Sequence, residues 1–164
     1  MNQDKNRRVI VSQRGGPEVL RLVEEPLPEP ESGEVRVKVL AAGVSGYDVM
    51  LRSRRFPGFP RPPYTPGEDF VGLVDKLGDS VTTVKEGQRV AGWTFGRGGC
   101  YAEYLCTPAT EVAPVPADLD SAQAVALVVN YLTAHVALYQ TARVQRGERI
   151  LVHGAAGGVG SALV

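Results

Sequence analysis

Along the first half of the chain, hydrophobic and polar residues alternate in short runs. Val35, Val37 and Val39 are interleaved with Glu34, Arg36 and Lys38, the period of two expected of a strand with one face buried and one wet. The pattern predicts further short strands over residues 7–12, 19–23, 69–77 and 100–107, set apart by Gly-Gly-Pro, proline-rich and Gly-Asp turns. In 69–77, Phe70, Val71, Leu73 and Val74 are apolar on both faces, so this strand is expected at the centre of a sheet, covered on both sides. Residues 45–53 read as a short helix. The five prolines of 57–66 cannot continue it, and they predict an irregular loop.

The period changes after Asp120. Asp120 followed by Gln123 is an N-terminal capping signature. Val125, Val128, Val129, Leu132, Val136 and Tyr139 then recur at helical spacing and are expected to face a core, with a break near Asn130. Gly147 is expected to stop the helix, Ile150, Leu151 and Val152 to form a buried strand, and residues 154–160 to form a glycine turn entering a last helix. All 12 prolines lie at or before Pro116, so a turn-rich β unit gives way to a helical one. The expected division is 1–118 and 119–164, and the expected fold class is mixed β and α/β.

Composition narrows the function classes. Eighteen Lys and Arg balance eighteen Asp and Glu, so no bulk charge attracts nucleic acid or an anionic membrane. The longest apolar run, residues 124–129, is far below the roughly 18 residues that span a bilayer. No membrane span and a cytoplasmic address are the expectations. Arg52, Arg54, Arg55 and Arg61 form a local basic patch read as a solvated loop. Cys100 and Cys106 have neither a C-x-x-C spacing nor a second pair, which argues against a disulfide framework and a structural zinc.

The chemistry-bearing motif is His153-Gly154-Ala155-Ala156-Gly157-Gly158-Val159-Gly160. Ala155, Gly157 and Gly160 hold the register of G-x-G-x-x-G with alanine in first place. Between a strand and a helix, such a turn lets backbone approach a pyrophosphate, whose charge meets amides at the helix N-terminus. The alternative is a tight turn without ligand. The residue that would read the ribose, about 20 positions further on, falls past Val164, so NADH and NADPH are not distinguished.

Gly15-Gly16-Pro17-Glu18-Val19-Leu20, Ala41-Ala42-Gly43-Val44, Pro63-Tyr64-Thr65-Pro66-Gly67, Tyr101-Ala102-Glu103-Tyr104 and the glycine turn occur in that order. Together they resemble the medium-chain dehydrogenase/reductases, in their quinone oxidoreductase (zeta-crystallin-like) branch, over nearly the whole chain. The resemblance implies a GroES-like β-barrel catalytic domain followed by the first strand and turn of a truncated Rossmann domain, that is, an N-terminal half. It implies reduction of a quinone or α,β-unsaturated carbonyl by NADPH (or NADH). Zinc alcohol dehydrogenases carry cysteine and histidine where this chain has Ser45 and Glu68, so no zinc is expected. Adjacent Glu68 and Asp69, at the start of a strand, are expected to point to opposite faces and not to work as a pair.

The resemblance assigns Ser45 and Asp48 as catalytic candidates, Ser45 as a hydrogen-bond donor or a helix cap and Asp48 in a positioning role. Tyr47, Met50, Phe56 and Tyr64 are the substrate-pocket candidates, Met50 and Phe56 standing where family members often have tyrosine. Thr133 and the turn Ala155, Ala156, Gly157, Gly158, Val159 and Gly160 are the cofactor-binding candidates. His135, His153 and both cysteines are read as structural. Two other readings stay open: a non-catalytic GroES-like module that binds a partner or self-associates through an unfinished sheet, and a zinc-type alcohol dehydrogenase with divergent ligands.

Overall fold

The computed structural model describes residues 5–53 and 60–164. Among these described residues, seven strands form two antiparallel sheets. β1 (Lys5–Val11) pairs with β2 (Leu20–Pro26) as a hairpin. The five-stranded sheet runs β6 (Tyr104–Pro108), β3 (Glu34–Ala42), β4 (Asp69–Leu77), β5 (Arg89–Trp93) and β7 (Val112–Pro114). The hairpin closes against the sheet through backbone bonds from Val9 to Tyr101 and from Glu103 to Arg7, and through a bridge between Val11 and Tyr64.

β4 is central, as its two-sided apolar sequence predicts. On one face Phe70 and Val74 pack with Val35, Val37, Val90 and Leu105. On the other, Val71 packs with Ala124 and Val125 of the helix that follows the sheet. β5 and β7 were not expected from the pattern. They are short, and Gly92 and Pro114 interrupt their alternation.

Helix α1 (Gly46–Ser53) lies between β3 and β4, as predicted. Asp120 caps the long helix Ser121–Thr141, its carboxylate accepting from the Ala122 and Gln123 N–H groups. The expected break near Asn130 takes the form of a π-helical stretch, Leu127–Tyr131, inside a continuous helix. The helix ends at Thr141 rather than at Gly147, and Arg143 adopts a left-handed φ of 54° in the turn beyond.

Two other expectations about this part of the chain are corrected. Only the first turns of the apolar stripe reach the core: Val125 is buried, whereas Leu132 and Tyr139 are exposed. Ile150, Leu151 and Val152 are not a buried strand. Among the described residues they pair with no strand, and Leu151 is 81% exposed, because a strand of this type needs parallel neighbours. The expectation of no membrane-length segment is also revised. Ser121–Thr141 is 21 residues with a mean hydropathy of 1.3, long and apolar enough to cross a membrane by length and composition alone. Run length missed it because single polar residues interrupt the apolar positions while Asp, Glu, Lys and Arg are absent from the segment.

Candidate active site

A cavity of about 710 Å³ opens between the sheet, α1 and the long helix. Its floor is the β3–α1 turn, with Gly43, Val44, Ser45 and Tyr47, together with Glu68 and Asp69 at the entry to β4. Trp93, Phe95 and Gly96 form one wall, and Val125, Val129 and Asn130 of the long helix form the other.

Asp48 organises the floor from below. It is buried, and its Oδ2 accepts from the Ser45 N–H at 2.8 Å and from the Ser45 hydroxyl at 3.0 Å. This carboxylate, three residues into the helix, reaching back to the N-cap amide is one half of a capping box. Its other oxygen accepts from the Gly67 N–H at 3.1 Å, which ties α1 to the turn before β4. Gly67 has a φ of 90°, and a Cβ there would lie 2.4 Å from the Tyr101 ring, so glycine is required on both counts. Ser45 therefore lines the cavity with its hydroxyl proton already committed to Asp48. It presents lone pairs, not a donor.

Glu68 and Asp69 both reach the cavity, against the expectation of opposite faces. Strict alternation begins only at Asp69, the first residue of β4; Glu68 belongs to the preceding turn. The Glu68 backbone carbonyl is held by the Thr94 N–H and hydroxyl. Its side chain is buried, with Oε2 accepting from the Gly96 N–H at 2.6 Å and Oε1 without a hydrogen-bond partner. Asp69 lies directly over Gly43, where a Cβ would meet its Oδ1 at 2.3 Å.

Burial pushes the Asp69 carboxyl up to about 6, with the Asp48 charge adding to the rise and backbone hydrogen bonding offsetting part of it. Burial likewise raises Glu68, with the Gly96 N–H pulling it back and the charges of Asp48 and Asp69 raising it further. Tyr47 is raised by burial and by the Glu68 and Asp48 charges. The site is thus rich in carboxyl groups that resist ionisation. Among the described residues, no group of three or more His, Cys, Asp or Glu is arranged to hold a metal ion.

The aromatic wall is built at a backbone cost. Phe95 has a φ of 49°, uncommon for a bulky residue, and Gly96 follows with a φ of 86°. This left-handed pair turns the Gly96 N–H onto Glu68 and lays the Phe95 ring on Trp93, with ring centroids 4.3 Å apart and an interplanar angle of 26°. The stacked pair presents a flat apolar surface to the cavity.

Several sequence candidates fall elsewhere. Among the described residues, Met50 and Tyr64 do not line this cavity. Tyr64 packs with Val11, Val19 and Leu51 under the hairpin, because its backbone pairs with Val11 and draws the ring inward. Phe56 lies outside the described residues. Thr133 is exposed on the long helix and is not part of the cavity lining. His153 is exposed, and His135 leans on Tyr139 with ring centroids 4.9 Å apart. Cys100 is buried, and burial pushes its thiol up to about 12. Sequence reasoning missed Trp93, Phe95, Gly96 and Asn130. The positive-φ pair Phe95-Gly96 gives no periodic signal, and Asn130 was read only as a helix break.

The glycine turn forms as expected. Gly154 has a φ of 71°, the Gly157 N–H bonds back to its carbonyl at 2.9 Å, and Gly157 caps the helix Gly158–Leu163. Ala155, Ala156, Gly157 and Gly158 are exposed. A Cβ at Gly160 would lie 2.0 Å from the Gly154 carbonyl, so the close turn needs glycine there. A Cβ at Gly158 would lie 2.8 Å from Asn130 Oδ1. Asn130, a residue of the cavity wall, therefore also meets the turn through its side chain. This open, tight glycine turn fits the diphosphate of a nicotinamide dinucleotide.

Residues 31–117 match the alcohol dehydrogenase GroES-like domain, and the chain belongs to the medium-chain dehydrogenase/reductase superfamily, in its quinone oxidoreductase branch. Quinone oxidoreductase of Rattus norvegicus is 42% identical over 157 residues, covering 95% of this chain and 47% of that protein. The crystal structure of human synaptic vesicle membrane protein VAT-1 homolog-like protein superposes with a TM-score of 0.92 at 36% identity, covering 97% of this chain and 51% of that one. A mycobacterial protein solved in complex with NADPH superposes with a TM-score of 0.84 at 36% identity, covering 96% and 48%. The chain spans about half the length of the curated relatives it matches.

Proposed function

We propose that this chain carries the acceptor-binding cavity and the pyrophosphate turn of a zinc-independent NADPH-dependent oxidoreductase that delivers hydride to a quinone or an α,β-unsaturated carbonyl. One observation carries the reading: Asn130 joins the cavity wall to the glycine turn, so a dinucleotide seated on the turn is adjacent to whatever the cavity holds. The relatives named quinone oxidoreductase and the NADPH-bound neighbour support the choice of reaction and cofactor.

When bound, the reduced nicotinamide supplies the hydride. The residues of the chain do the rest. Ala155, Ala156, Gly157, Gly158, Val159 and Gly160 offer backbone to the diphosphate, and Thr133 is the proposed contact nearest the nicotinamide. Trp93 and Phe95 stack against a planar conjugated acceptor. Ser45 and Tyr47 contact it from the floor, while Asp48 holds Ser45 in place. An acceptor of this class spreads the incoming negative charge over its π-system, so a shaped apolar pocket with few donors suffices without a Lewis acid. A cytoplasmic setting and the division at 118/119 belong to the same proposal.

The test is calorimetric titration of the chain with NADPH and NADH, with light scattering on the same sample, followed by turnover assays with quinones and enones and metal analysis. Saturable binding with about one site per chain supports the proposal, and no binding at millimolar cofactor refutes it for these residues. A second reading, a non-catalytic module, is favoured by the exposed apolar side chains Ile150, Leu151, Leu132 and Tyr139, an apolar surface suited to self-association or a partner. Concentration-dependent oligomers without cofactor binding would establish it.

A further inference from the structure

Among the groups around the cavity, Glu68 stands out for a carboxyl oxygen that no described residue satisfies. The residue is 8% exposed, and a buried polar atom without a partner costs free energy that folding ordinarily avoids. Oε2 accepts from the Gly96 N–H at 2.6 Å, while Oε1 is buried and unpartnered, in a residue that lines the cavity. The Thr94 bonds to the Glu68 carbonyl and the left-handed Phe95-Gly96 turn fix this arrangement from two sides. As a carboxylate, Glu68 would present a bare negative oxygen to an apolar cavity beside two more carboxyl groups. As the neutral acid, it presents one O–H donor.

We propose that Glu68, through Oε1, is the hydrogen-bond and proton donor to the carbonyl oxygen of the acceptor bound in the cavity. The inference rests on the reading that the cavity takes conjugated carbonyl acceptors. The electron pair of the hydride, from a reduced nicotinamide, enters the conjugated system of the acceptor, and negative charge accumulates on its carbonyl oxygen. The Glu68 O–H bond breaks, a new O–H bond forms on that oxygen, and Glu68 is left as a carboxylate bonded to Gly96. Solvent returns the proton between turnovers. This gives the cavity the donor that Ser45 cannot be, since the Ser45 hydroxyl is spent on Asp48.

The surroundings favour the protonated form. Asp48 from α1 and Asp69 from β4 both oppose ionisation of Glu68, as does burial. Among the described residues, the cation acting on it is Arg97, which is paired with Glu111. Tyr47 and Cys100, the other titratable groups that feel its charge, are both held neutral by burial.

Two measurements on the full chain decide it. First, carbon-13 NMR of chain labelled at the glutamate carboxyls, assigned by the signal lost in Glu68→Gln, should place the Glu68 midpoint above the ordinary glutamate range. A midpoint at or below that range overturns the proposal. Second, duroquinone is titrated against the fluorescence of Trp93, which is the single tryptophan and lies in the cavity wall. Wild-type affinity should weaken about five- to tenfold as pH rises through the Glu68 midpoint, the worth of about one hydrogen bond. Glu68→Gln, whose amide donates at every pH, should bind with little pH dependence but reduce duroquinone slowly when NADPH is present. Saturable quenching with a flat wild-type profile, or the same pH dependence in Glu68→Gln, removes Glu68 from the role while leaving the acceptor reading intact. No quenching at any pH, with a raised Glu68 midpoint, overturns the acceptor reading and the inference with it.

Discussion

Replacing Asp48 by asparagine tests whether one buried carboxylate holds the cavity floor together. Oδ2 accepts two hydrogen bonds from Ser45, at 2.8 and 3.0 Å, and Oδ1 accepts one from the Gly67 N–H at 3.1 Å. Asparagine has a single acceptor oxygen. If it faces Ser45, the amide NH2 abuts the Gly67 N–H; if it faces Gly67, the NH2 abuts the Ser45 N–H. A hydrogen bond to a charged acceptor contributes about 1.5–3 kcal/mol, and a buried donor left unpaired costs a comparable amount. Relief of repulsion among Asp48, Glu68 and Asp69 offsets part of the loss. The expected net effect is destabilisation by about 2 kcal/mol, or roughly 4–8 °C in Tm for a chain of this size. Urea unfolding followed by circular dichroism measures the first quantity and a thermal scan the second. The same variant should lower the Asp69 midpoint from about 6, because the Asp48 charge is the largest contribution to that rise after burial. A stability change below about 0.5 kcal/mol, within the usual range for an uninvolved surface site, or an unmoved Asp69 midpoint, would refute the reasoning.

The remaining predictions follow from the same geometry. Asp69 binds its proton more tightly folded than unfolded, so its favourable contribution is complete below about pH 4 and is lost as pH rises to about 6. Denaturation of wild type and Asp69→Asn at several pH values should show the stability difference shifting toward the variant across that window; a constant difference would exclude it. Gly157→Asp should leave the fold intact, because a Cβ there meets only the Gly154 carbonyl, at 3.3 Å, yet abolish NADPH binding by setting a carboxylate against the diphosphate. Unchanged calorimetric binding would detach the turn from the cofactor. Phe95→Gly relieves a φ of 49° and loses the stack on Trp93. Strain of about 1–3 kcal/mol against an aromatic pair worth about 0.5–1.5 kcal/mol predicts little loss of stability. The Trp93 emission should shift to the red, and an unmoved spectrum would show that Phe95 does not shield the indole.

The strands of the first half were legible because alternation survives in them. β4 was placed centrally from Phe70, Val71, Leu73 and Val74 alone, and the structure puts a separate apolar cluster on each of its faces. The Asp120 cap and the glycine turn were legible for a related reason: both are local devices whose partners lie within a few residues. β5 and β7 were lost because glycine and proline break up short strands held by pairing. The strand expected at Ile150–Val152 failed in the opposite sense: the residues have the right character, but strand formation needs neighbours that this arrangement does not provide.

What the sequence by itself determined is the strands in which alternation survives, the change from β to helical organisation, the family and the turn chemistry, each carried by short runs of neighbouring residues. Only the tertiary structure decided which side chains share a cavity. Glu68 and Asp69 converge because the chain is still turning at Gly67, where alternation has not begun. Asn130 reaches the glycine turn because a π-helical stretch packs against the last helix. Ser45 loses its donor to a carboxylate that a short helix returns beneath it. The Asn130 contact and the cavity walls join segments far apart in sequence, and neither periodicity nor spacing encodes the distance at which such segments meet.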